Sequence, residues 1–150
     1  MVLMAQHGEW DNVIEDNPVD QNQQEIVEAF EFLGDWTERY QYIIDCGKTL
    51  PDLAETDKID ANKLSGCQSQ VWLVTDRQDQ YLHFRATSDA LIVSGLIALL
   101  LKIYSGQLAS NIKTSKPWFV DQLELTTHLS ATRSNGLASM LKAIYAATEQ

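Results

Sequence analysis

The residue of this chain best suited to covalent chemistry is Cys67. It follows Gly66 and precedes three polar residues, Gln68, Ser69 and Gln70, just before a hydrophobic segment begins. A cysteine that only fills a core more often lies within an apolar repeat, whereas a preceding glycine allows backbone angles that present a side chain at the tip of a loop. Because the thiolate is the nucleophilic form of cysteine, this position predicts chemistry at sulfur.

Three other kinds of site require residues that the sequence does not supply. Zinc needs three or four converging ligands, and His7, His83 and His128 show no paired spacing with each other or with the two cysteines. An iron-sulfur cluster bound by this chain would need more thiolates than two. A cysteine hydrolase would need a histidine beside the thiol, and no oxyanion or substrate motif supports His83 or His128 in that role. The sequence therefore favours one reactive thiol with no metal or cofactor bound to this chain.

The surroundings of this cysteine resemble a known signature. The segment Gly66-Cys67-Gln68-Ser69-Gln70-Val71-Trp72 is similar to the motif of the SufE family of cysteine desulfuration proteins. Further blocks follow that family's order from about residue 23 to the C-terminus. They are Tyr42-Ile43-Ile44 with Gly47, Leu50 and Pro51; Ser88-Asp89-Ala90 with Ile92-Val93 and Gly95-Leu96-Ile97-Ala98; and Leu129-Ser130 with Arg133-Ser134 and Gly136-Leu137. Several ordered blocks are a stronger signal than one short motif.

The resemblance implies a role in sulfur transfer. In the SufE family the motif cysteine takes the terminal sulfur of a persulfide from a pyridoxal-phosphate cysteine desulfurase. Cys67 would hold it as a transient persulfide and pass it to an iron-sulfur assembly scaffold or another acceptor. Since the pyridoxal phosphate belongs to the desulfurase, SufS-like or CsdA-like, this chain would be an accessory protein and not an independent enzyme. The alternatives are a regulatory module that activates the desulfurase by contact alone, and a structural helical domain with an incidental cysteine.

Five further residues are weaker candidates for the same site. Gly66 would absorb a torsional change as the motif cysteine swings from an apolar pocket toward a docked desulfurase. Gln68 and Ser69 would satisfy backbone groups of the loop or donate hydrogen bonds. Asp89 has two interpretations, a helix N-cap or a residue that holds the cysteine loop. Arg133 also has two, contact with the desulfurase or the sulfur anion, or a salt bridge that orders the last helix.

The N-terminal half of the chain predicts an extension and two helices. Residues 1–22 are polar and acidic, which is typical of a flexible extension, and residues 23–150 would form one SufE-like domain. The first helix is predicted over 23–33. Asp35 has capping-box spacing to Glu38 and would open a second helix that Pro51 ends. Within that helix the second cysteine, Cys46, lies at the flank of the apolar stripe, which favours a packing residue over a resolving thiol.

The C-terminal half predicts a hairpin followed by helices. Strands are expected over 70–75, covered on both faces, and over 80–86, with residues 76–79 as the turn between them. A buried helix runs from Ala90 through Leu101, capped by Ser88 or Asp89, with Gly95 allowing close approach of another backbone, the sheet being the candidate.

Shorter elements complete the predicted domain. An edge strand near 108–113, a helix from Pro117 to about Leu125 and a last helix over 132–147 follow the buried helix. The order predicts an α+β domain, a small antiparallel sheet packed against helices in two layers. The resemblance implies the same fold, which SufE proteins share with the IscU-type scaffold.

Composition limits the class of partner. The net charge is −10, and residues 1–60 hold 15 acidic against 3 basic residues, which argues against a phosphate-binding stripe and against nucleic acid as a ligand. This acidity predicts a solvated face or steering toward a basic partner. The longest uncharged apolar run is too short for a bilayer, which needs about 20 residues. Two cysteines and no leader-like start predict a reducing, cytoplasmic location.

Overall fold

The computed structural model describes residues 17–150, so residues 1–16 of the predicted extension over 1–22 lie outside the described residues. Helix α1 spans Pro18–Leu33. Asn17 is its N-cap, and the Asn17 side chain accepts a hydrogen bond from the amide of Val19, with proline at the first helical position. The expected start at residue 23 is therefore wrong by five residues, because the Asn-Pro cap signal outweighs the polar composition of residues 18–22.

Helix α2 spans Trp36–Lys48 and packs against α1 and the central helix. Asp35 is its N-cap and accepts a hydrogen bond from the amide of Glu38 at 2.9 Å, which confirms the predicted cap. Cys46 is buried in this helix beside Tyr42, and neither cysteine forms a disulfide. Burial and the contact with Cys46 raise the pKa of the Tyr42 phenol. These contacts support the packing interpretation of Cys46.

The segment after α2 forms two short 3-10 turns, Glu55–Asp57 and Asp60–Asn62. Arg85 fastens the first turn to the sheet, because its guanidinium donates to Asp57 at 2.9 Å and to Asp76 at 2.7 Å. The side chain of Asn62 donates to the carbonyl of Asp57. Hydrogen bonds therefore hold the segment before the cysteine loop against the sheet.

The sheet has three antiparallel strands in the order β1, β2, β3: Val71–Gln78, Tyr81–Ser88 and Gln107–Leu108. Strands β1 and β2 pair with Leu73 opposite Ala86, and a two-residue turn joins them. The predicted turn over 76–79 is wrong, because β1 continues three residues further, to Gln78, and β2 begins one residue later, at Tyr81, which leaves residues 79–80 as the turn. Asp79 adopts a left-handed conformation, φ 57°, that a tight hairpin turn requires.

The burial pattern of the two long strands differs. In β2 the alternation is confirmed, since Leu82, Phe84 and Ala86 are buried while the residues before each of them are exposed. Strand β1 is an edge strand in which only Val71 is fully buried, so the expected cover on both faces is wrong. Its continuous apolar run reflects a half-covered outer face, where Trp72 lies beside Lys63 and outside the core.

Helix α3, Leu91–Tyr104, is the buried central helix that the apolar run predicted. Gly95 lies against α2 and not against the sheet. A Cβ atom at Gly95 would lie 2.1 Å from the carbonyl oxygen of Ile43, and one at Gly47 would lie 2.6 Å from the amide of Gly95. The prediction of a close backbone approach is thus confirmed, and its partner is corrected.

The remaining chain wraps the other side of α3 in helices. They are α4 Ala109–Lys113, α5 Phe119–Gln122, α6 Leu125–His128 and α7 Ala131–Ala147. The expected strand over 108–113 is mostly α4, and the single helix expected from Pro117 is two short ones, separated at Glu124 with φ 54°. The last helix begins at its N-cap Ser130. The predicted α+β class is confirmed, with the core between the sheet, α3 and the surrounding helices.

Candidate functional site

Cys67 lies in a short loop whose two ends are fastened together. Lys63 forms an antiparallel bridge with Trp72, and the amide of Leu64 donates to the carbonyl of Val71 at 2.9 Å. The six residues 65–70 between these contacts therefore project from the start of β1. Gly66 has φ 86°, the left-handed region that glycine enters without strain, so the chain reverses just before the cysteine.

The Cys67 side chain points inward from this loop onto α7 and is half-buried. Its Sγ lies 3.9 Å from the carbonyl oxygen of Gly136. A cavity of about 10 Å³, room for one water-sized group, adjoins the thiol. Its other lining residues are Gln68 and Ser69 of the loop, Val93 of α3, and Thr132, Arg133, Gly136 and Met140 of α7. Val93 places the central helix in the wall of this cavity, and the lining contains polar as well as apolar groups, whereas the sequence predicted an apolar pocket.

Two glycines, Gly66 and Gly136, lie next to the thiol, and only one of them has no room for a side chain. A Cβ atom at Gly66 would lie 2.6 Å from the Ser139 hydroxyl oxygen, closer than such contacts normally come. At Gly136 a Cβ would meet the Cys67 sulfur at 3.8 Å, an ordinary van der Waals distance. Gly66 is therefore needed both for its backbone angle and for its lack of a side chain. At Gly136 an alanine side chain would fit.

The surroundings of Cys67 set its protonation. Burial raises the pKa of the Cys67 thiol, and a hydrogen bond with Ser139 lowers it in part. The sheltered thiol is thus held in its protonated, less nucleophilic form near neutral pH. Moving the side chain into water would remove the burial effect and increase the thiolate fraction, so reactivity and exposure are coupled at this position.

Asp89 holds the far end of the cysteine loop. Its Oδ1 accepts a hydrogen bond from the backbone amide of Gln70 at 3.1 Å. The N-cap of α3 is Ala90, which has no side-chain cap, so the N-cap interpretation of Ser88 or Asp89 is wrong. The alternative, contact with the cysteine loop, is what the geometry supports.

Arg133 stands at the mouth of the site. Its side chain is exposed, and no ion pair joins it to another residue within the described range 17–150. The salt-bridge interpretation thus finds no partner there. An open groove of about 540 Å³ lies beside the thiol cavity, and its lining residues come from the loop and the starts of α3 and α7. They are Gln68, Ser69, Ala90, Ser130, Thr132 and Arg133.

The histidines lie elsewhere among the described residues. His83 is on the outer face of β2 near Gly106, and the ring of His128 stacks on Trp36 with centroids 4.1 Å apart. The Tyr40 hydroxyl donates to the carbonyl of His128. Neither histidine lines the Cys67 cavity. The geometry thus gives no support to the cysteine-hydrolase alternative.

The sequence predicted most of the residues around the thiol but did not predict the contact with Ser139. The structure places four of the candidate residues, Cys67, Gln68, Ser69 and Arg133, in the lining of one cavity. Ser139 was not anticipated, although it lies three residues after Gly136 and so falls on the same face of α7. Its contact with the loop depends on how that helix packs, which a helical repeat alone does not specify.

The described part of the chain has neither a metal-binding cluster nor a membrane-spanning helix. Over residues 17–150 no group of three or more histidine, cysteine or acidic side chains is arranged to hold a metal ion. Over the same residues no helix is long and apolar enough to cross a membrane.

Comparison with known proteins identifies the family of this chain. The model of the SufE family, described as an Fe-S metabolism associated domain, matches residues 24–148. The chain belongs to the SufE family. The resemblance drawn from the motif blocks is therefore confirmed, and the family match covers the cysteine loop, the sheet, α1 from residue 24 onward and the helices from α2 to α7.

Individual SufE relatives are similar over most of the chain. A protein of Rhizobium meliloti (strain 1021), described as an uncharacterized SufE-like protein, is 43% identical over 130 residues, which are 83% of this chain and 93% of that protein. A second uncharacterized SufE-like protein, from Rhizobium etli, is 46% identical over 125 residues, 80% of this chain and 84% of its own. The solution structure of a hypothetical protein from Thermus thermophilus covers 85% of this chain and 93% of its own with a TM-score of 0.70; at 17% identity it shows the fold alone.

Proposed function

We propose that this SufE-family chain is the sulfur acceptor and activator of a pyridoxal-phosphate cysteine desulfurase, SufS-like or CsdA-like, with Cys67 as the accepting group. The observation that carries the proposal is the position of Cys67, a half-sheltered thiol on a glycine-containing loop next to an open groove. Such a thiol meets two demands of a sulfur carrier, access to a partner and protection between transfers.

The transfer is a thiol exchange that needs no external oxidant. The Cys67 thiolate attacks the terminal sulfur of a persulfide on the desulfurase cysteine. A new S–S bond forms at Cys67, the old S–S bond breaks, and the desulfurase cysteine leaves as a thiolate. An acceptor nucleophile, on an iron-sulfur assembly scaffold or another protein, then attacks the same terminal sulfur, and Cys67 leaves as a thiolate. Removal of product sulfur is what accelerates the desulfurase.

The resting geometry protects this sulfur from side reactions. The thiol lies against α7 with a raised pKa, which slows reaction with cytoplasmic oxidants and disulfides. The cavity beside it has room for about one water-sized group, so a terminal sulfur added to Cys67 would begin to fill it. Attack on a partner requires the loop to swing outward, with Gly66 absorbing the backbone change.

The groove beside the thiol is the surface we assign to the desulfurase. Leu91, the first residue of α3, is 69% exposed, which is unusual for a leucine of a buried apolar helix, and it directly follows the groove residue Ala90. On the other side Arg133 presents a guanidinium without an ion pair among residues 17–150. An apolar contact and a carboxylate on the partner would satisfy these two groups.

Substitution of the thiol separates the proposal from regulation by contact alone. With Cys67→Ser we expect stimulation of desulfurase turnover to fall to the basal rate while binding to the desulfurase is kept, because serine preserves the shape of the loop but cannot accept sulfur. Desulfurase turnover with and without the variant, and binding by calorimetry, check this. Cys46→Ala is the matched control and should stimulate as the wild type does.

Full stimulation by the serine variant would contradict the proposal and leave the non-covalent regulatory module as the function. If the wild-type protein neither bound nor stimulated the desulfurase, the result would instead favour a structural domain with an incidental cysteine.

A further inference from the structure

Ser139 contacts the cysteine loop from the helix behind it. Helix α7 places this residue one turn after Gly136, so both face the loop. The Ser139 hydroxyl oxygen fills the space where a side chain at Gly66 would begin, 2.6 Å from the position of a Cβ there. Its interaction with the Cys67 side chain lowers the pKa of the thiol, against the larger effect of burial. The hydroxyl therefore sits at the point where loop, helix and reactive sulfur meet.

The two protonation states of Cys67 need different partners, and the site offers both. As a neutral thiol, Cys67 faces the carbonyl oxygen of Gly136 at 3.9 Å, a weak acceptor contact for S–H. As an anion it has no proton to donate and is repelled by that carbonyl, so it needs a donor. A serine hydroxyl rotates freely and donates to an anion, and hydrogen bonds to charged acceptors are the stronger ones.

We propose that the Ser139 hydroxyl is the hydrogen-bond donor that stabilises the sulfur anion of Cys67 in its sheltered position, first as thiolate and then as the persulfide anion after transfer. The persulfide half of this inference rests on the proposed function, whereas the thiolate half is a property of the free protein. Ser139 thus offsets part of the burial that keeps Cys67 protonated, and it lets the loaded loop return to α7 with its charge satisfied.

The pH profile of Cys67 alkylation in the free protein tests the thiolate half. Iodoacetamide rates are measured across pH with peptide mass mapping, so that Cys46 does not interfere. Ser139→Ala should raise the pKa of Cys67 and slow alkylation at pH 7 by about three- to tenfold. The high-pH plateau should stay level or rise slightly, because a thiolate of higher pKa is the better nucleophile. If Ser139→Ala instead only opened the loop and exposed Cys67, alkylation would be faster than in the wild type at every pH.

Matched variants keep the result independent of general damage to the helix. Ser134→Ala makes the same change on α7 at a hydroxyl that is buried without a hydrogen-bond partner in the described chain, and should leave the profile unchanged. Ser139→Thr and Ser139→Val have the same shape and differ in the hydroxyl, so the threonine variant should keep a lower Cys67 pKa than the valine variant. Equal profiles for that pair, or an unshifted midpoint in Ser139→Ala, would overturn the inference.

The persulfide half is measured after loading by a desulfurase and removal of that enzyme. Loss of the added sulfur to a thiol reductant should be several times faster in Ser139→Val than in Ser139→Thr, and equal rates would overturn this half. If wild-type Cys67 never gains sulfur, the proposed function fails while the alkylation profiles still decide the role of Ser139.

Discussion

At the scale of single residues, Cys67 is controlled from three directions. Gly66 sets the backbone angle that turns the thiol toward α7, the helix shelters it, and Asp89 fastens the loop at its other end through the amide of Gln70. Each contact is individually weak. A short loop held by a few weak contacts opens at a modest energetic cost, which is what a carrier that alternates between shelter and exposure requires.

Loosening the Asp89 contact should increase exposure of the thiol. With Asp89→Ala we expect alkylation of Cys67 at constant pH to accelerate by about fivefold, because the lost hydrogen bond is worth roughly 1 kcal/mol. Asp89→Asn keeps an acceptor oxygen without the charge, so its rate of Cys67 alkylation should lie between the rates of the wild type and of Asp89→Ala. Site-resolved alkylation rates check this, with Asp121→Ala as a control that removes an exposed carboxylate from α5. A rate in Asp89→Ala equal to that of the wild type would show that the loop does not depend on this bond.

How far the sequence predicts the site depends on whether each contact is local. The glycine and polar residues flanking Cys67 are its immediate neighbours, so a displayed thiol could be predicted from them. Asp89 was ambiguous because its partner, Gln70, is 19 positions away and meets it only through the pairing of β1 with β2. Ser139 was missed for the same reason, since its contact depends on how α7 lies over the loop.

At the scale of elements, the crossing of α2 and α3 determines the position of α3, whose first residues line the site. Gly47 and Gly95 meet there, and because neither has a side chain, the two helices approach more closely than any other residue at these positions would permit. The start of α3 then supplies Val93 and Ala90 to the thiol cavity and the groove. A displacement of α3 would therefore be transmitted directly to the site.

Adding one methyl group at this crossing should be costly. In Gly95→Ala the new Cβ would approach the backbone and side chain of Ile43 to 2.1 and 2.5 Å, so the helices must separate. We expect a net loss of about 3 kcal/mol or more in the free energy of unfolding, outweighing the gain of roughly 1 kcal/mol in helix propensity. Urea unfolding measures the change.

Gly136→Ala is the control for that experiment. It makes the same exchange inside α7, where the nearest atom, the Cys67 sulfur, lies 3.8 Å from the new Cβ. This variant should unfold at the same or a slightly higher urea concentration. If Gly95→Ala were as stable as Gly136→Ala, the tight crossing would not be a feature of the folded protein.

Elements were predicted best where one periodicity persists. The apolar run of α3 and the alternation of β2 were recognisable because each depends on residues within one element. That Gly95 faces α2 and not the sheet was beyond the pattern, since a glycine indicates close approach without indicating what approaches. The break at Glu124 was missed because the sequence after Pro117 has helical composition throughout, and a left-handed residue without glycine carries no local signal.

At the scale of the whole molecule, a polar network joins α1 to the C-terminal half. The buried carboxylate of Asp20 accepts hydrogen bonds from the Ser115 hydroxyl at 2.7 Å and from the Trp118 indole at 2.9 Å. Tyr145 donates to the carbonyl of Ser115 at 2.5 Å, and Tyr104 lies 2.9 Å from the Tyr145 hydroxyl. Since Tyr145 already donates, Tyr104 donates to it. The network fastens the helix that the sequence had placed partly outside the domain.

This network predicts sensitivity to alkaline pH. Burial raises the pKa of Tyr104 far above its ordinary value near 10, so the folded protein keeps this proton after the unfolded chain has lost it. The stability contribution is fully present below pH 10 and declines above it, by about 1.4 kcal/mol per pH unit for one such group. Denaturant unfolding between pH 9 and 11 should show this decline as a difference in slope between the wild type and Tyr104→Phe. Parallel slopes would mean that Tyr104 ionises normally in the folded state.

The central claim, that Cys67 is a sulfur carrier, is tested most directly by intact-mass spectrometry and peptide mapping. The protein is incubated with an active cysteine desulfurase and free cysteine, without reductant, and then analysed before and after treatment with dithiothreitol. The account predicts the added mass of one sulfur atom, located on the peptide that contains Cys67 and removed by the reductant. A desulfurase that binds the protein and turns over while Cys67 stays unmodified would contradict it.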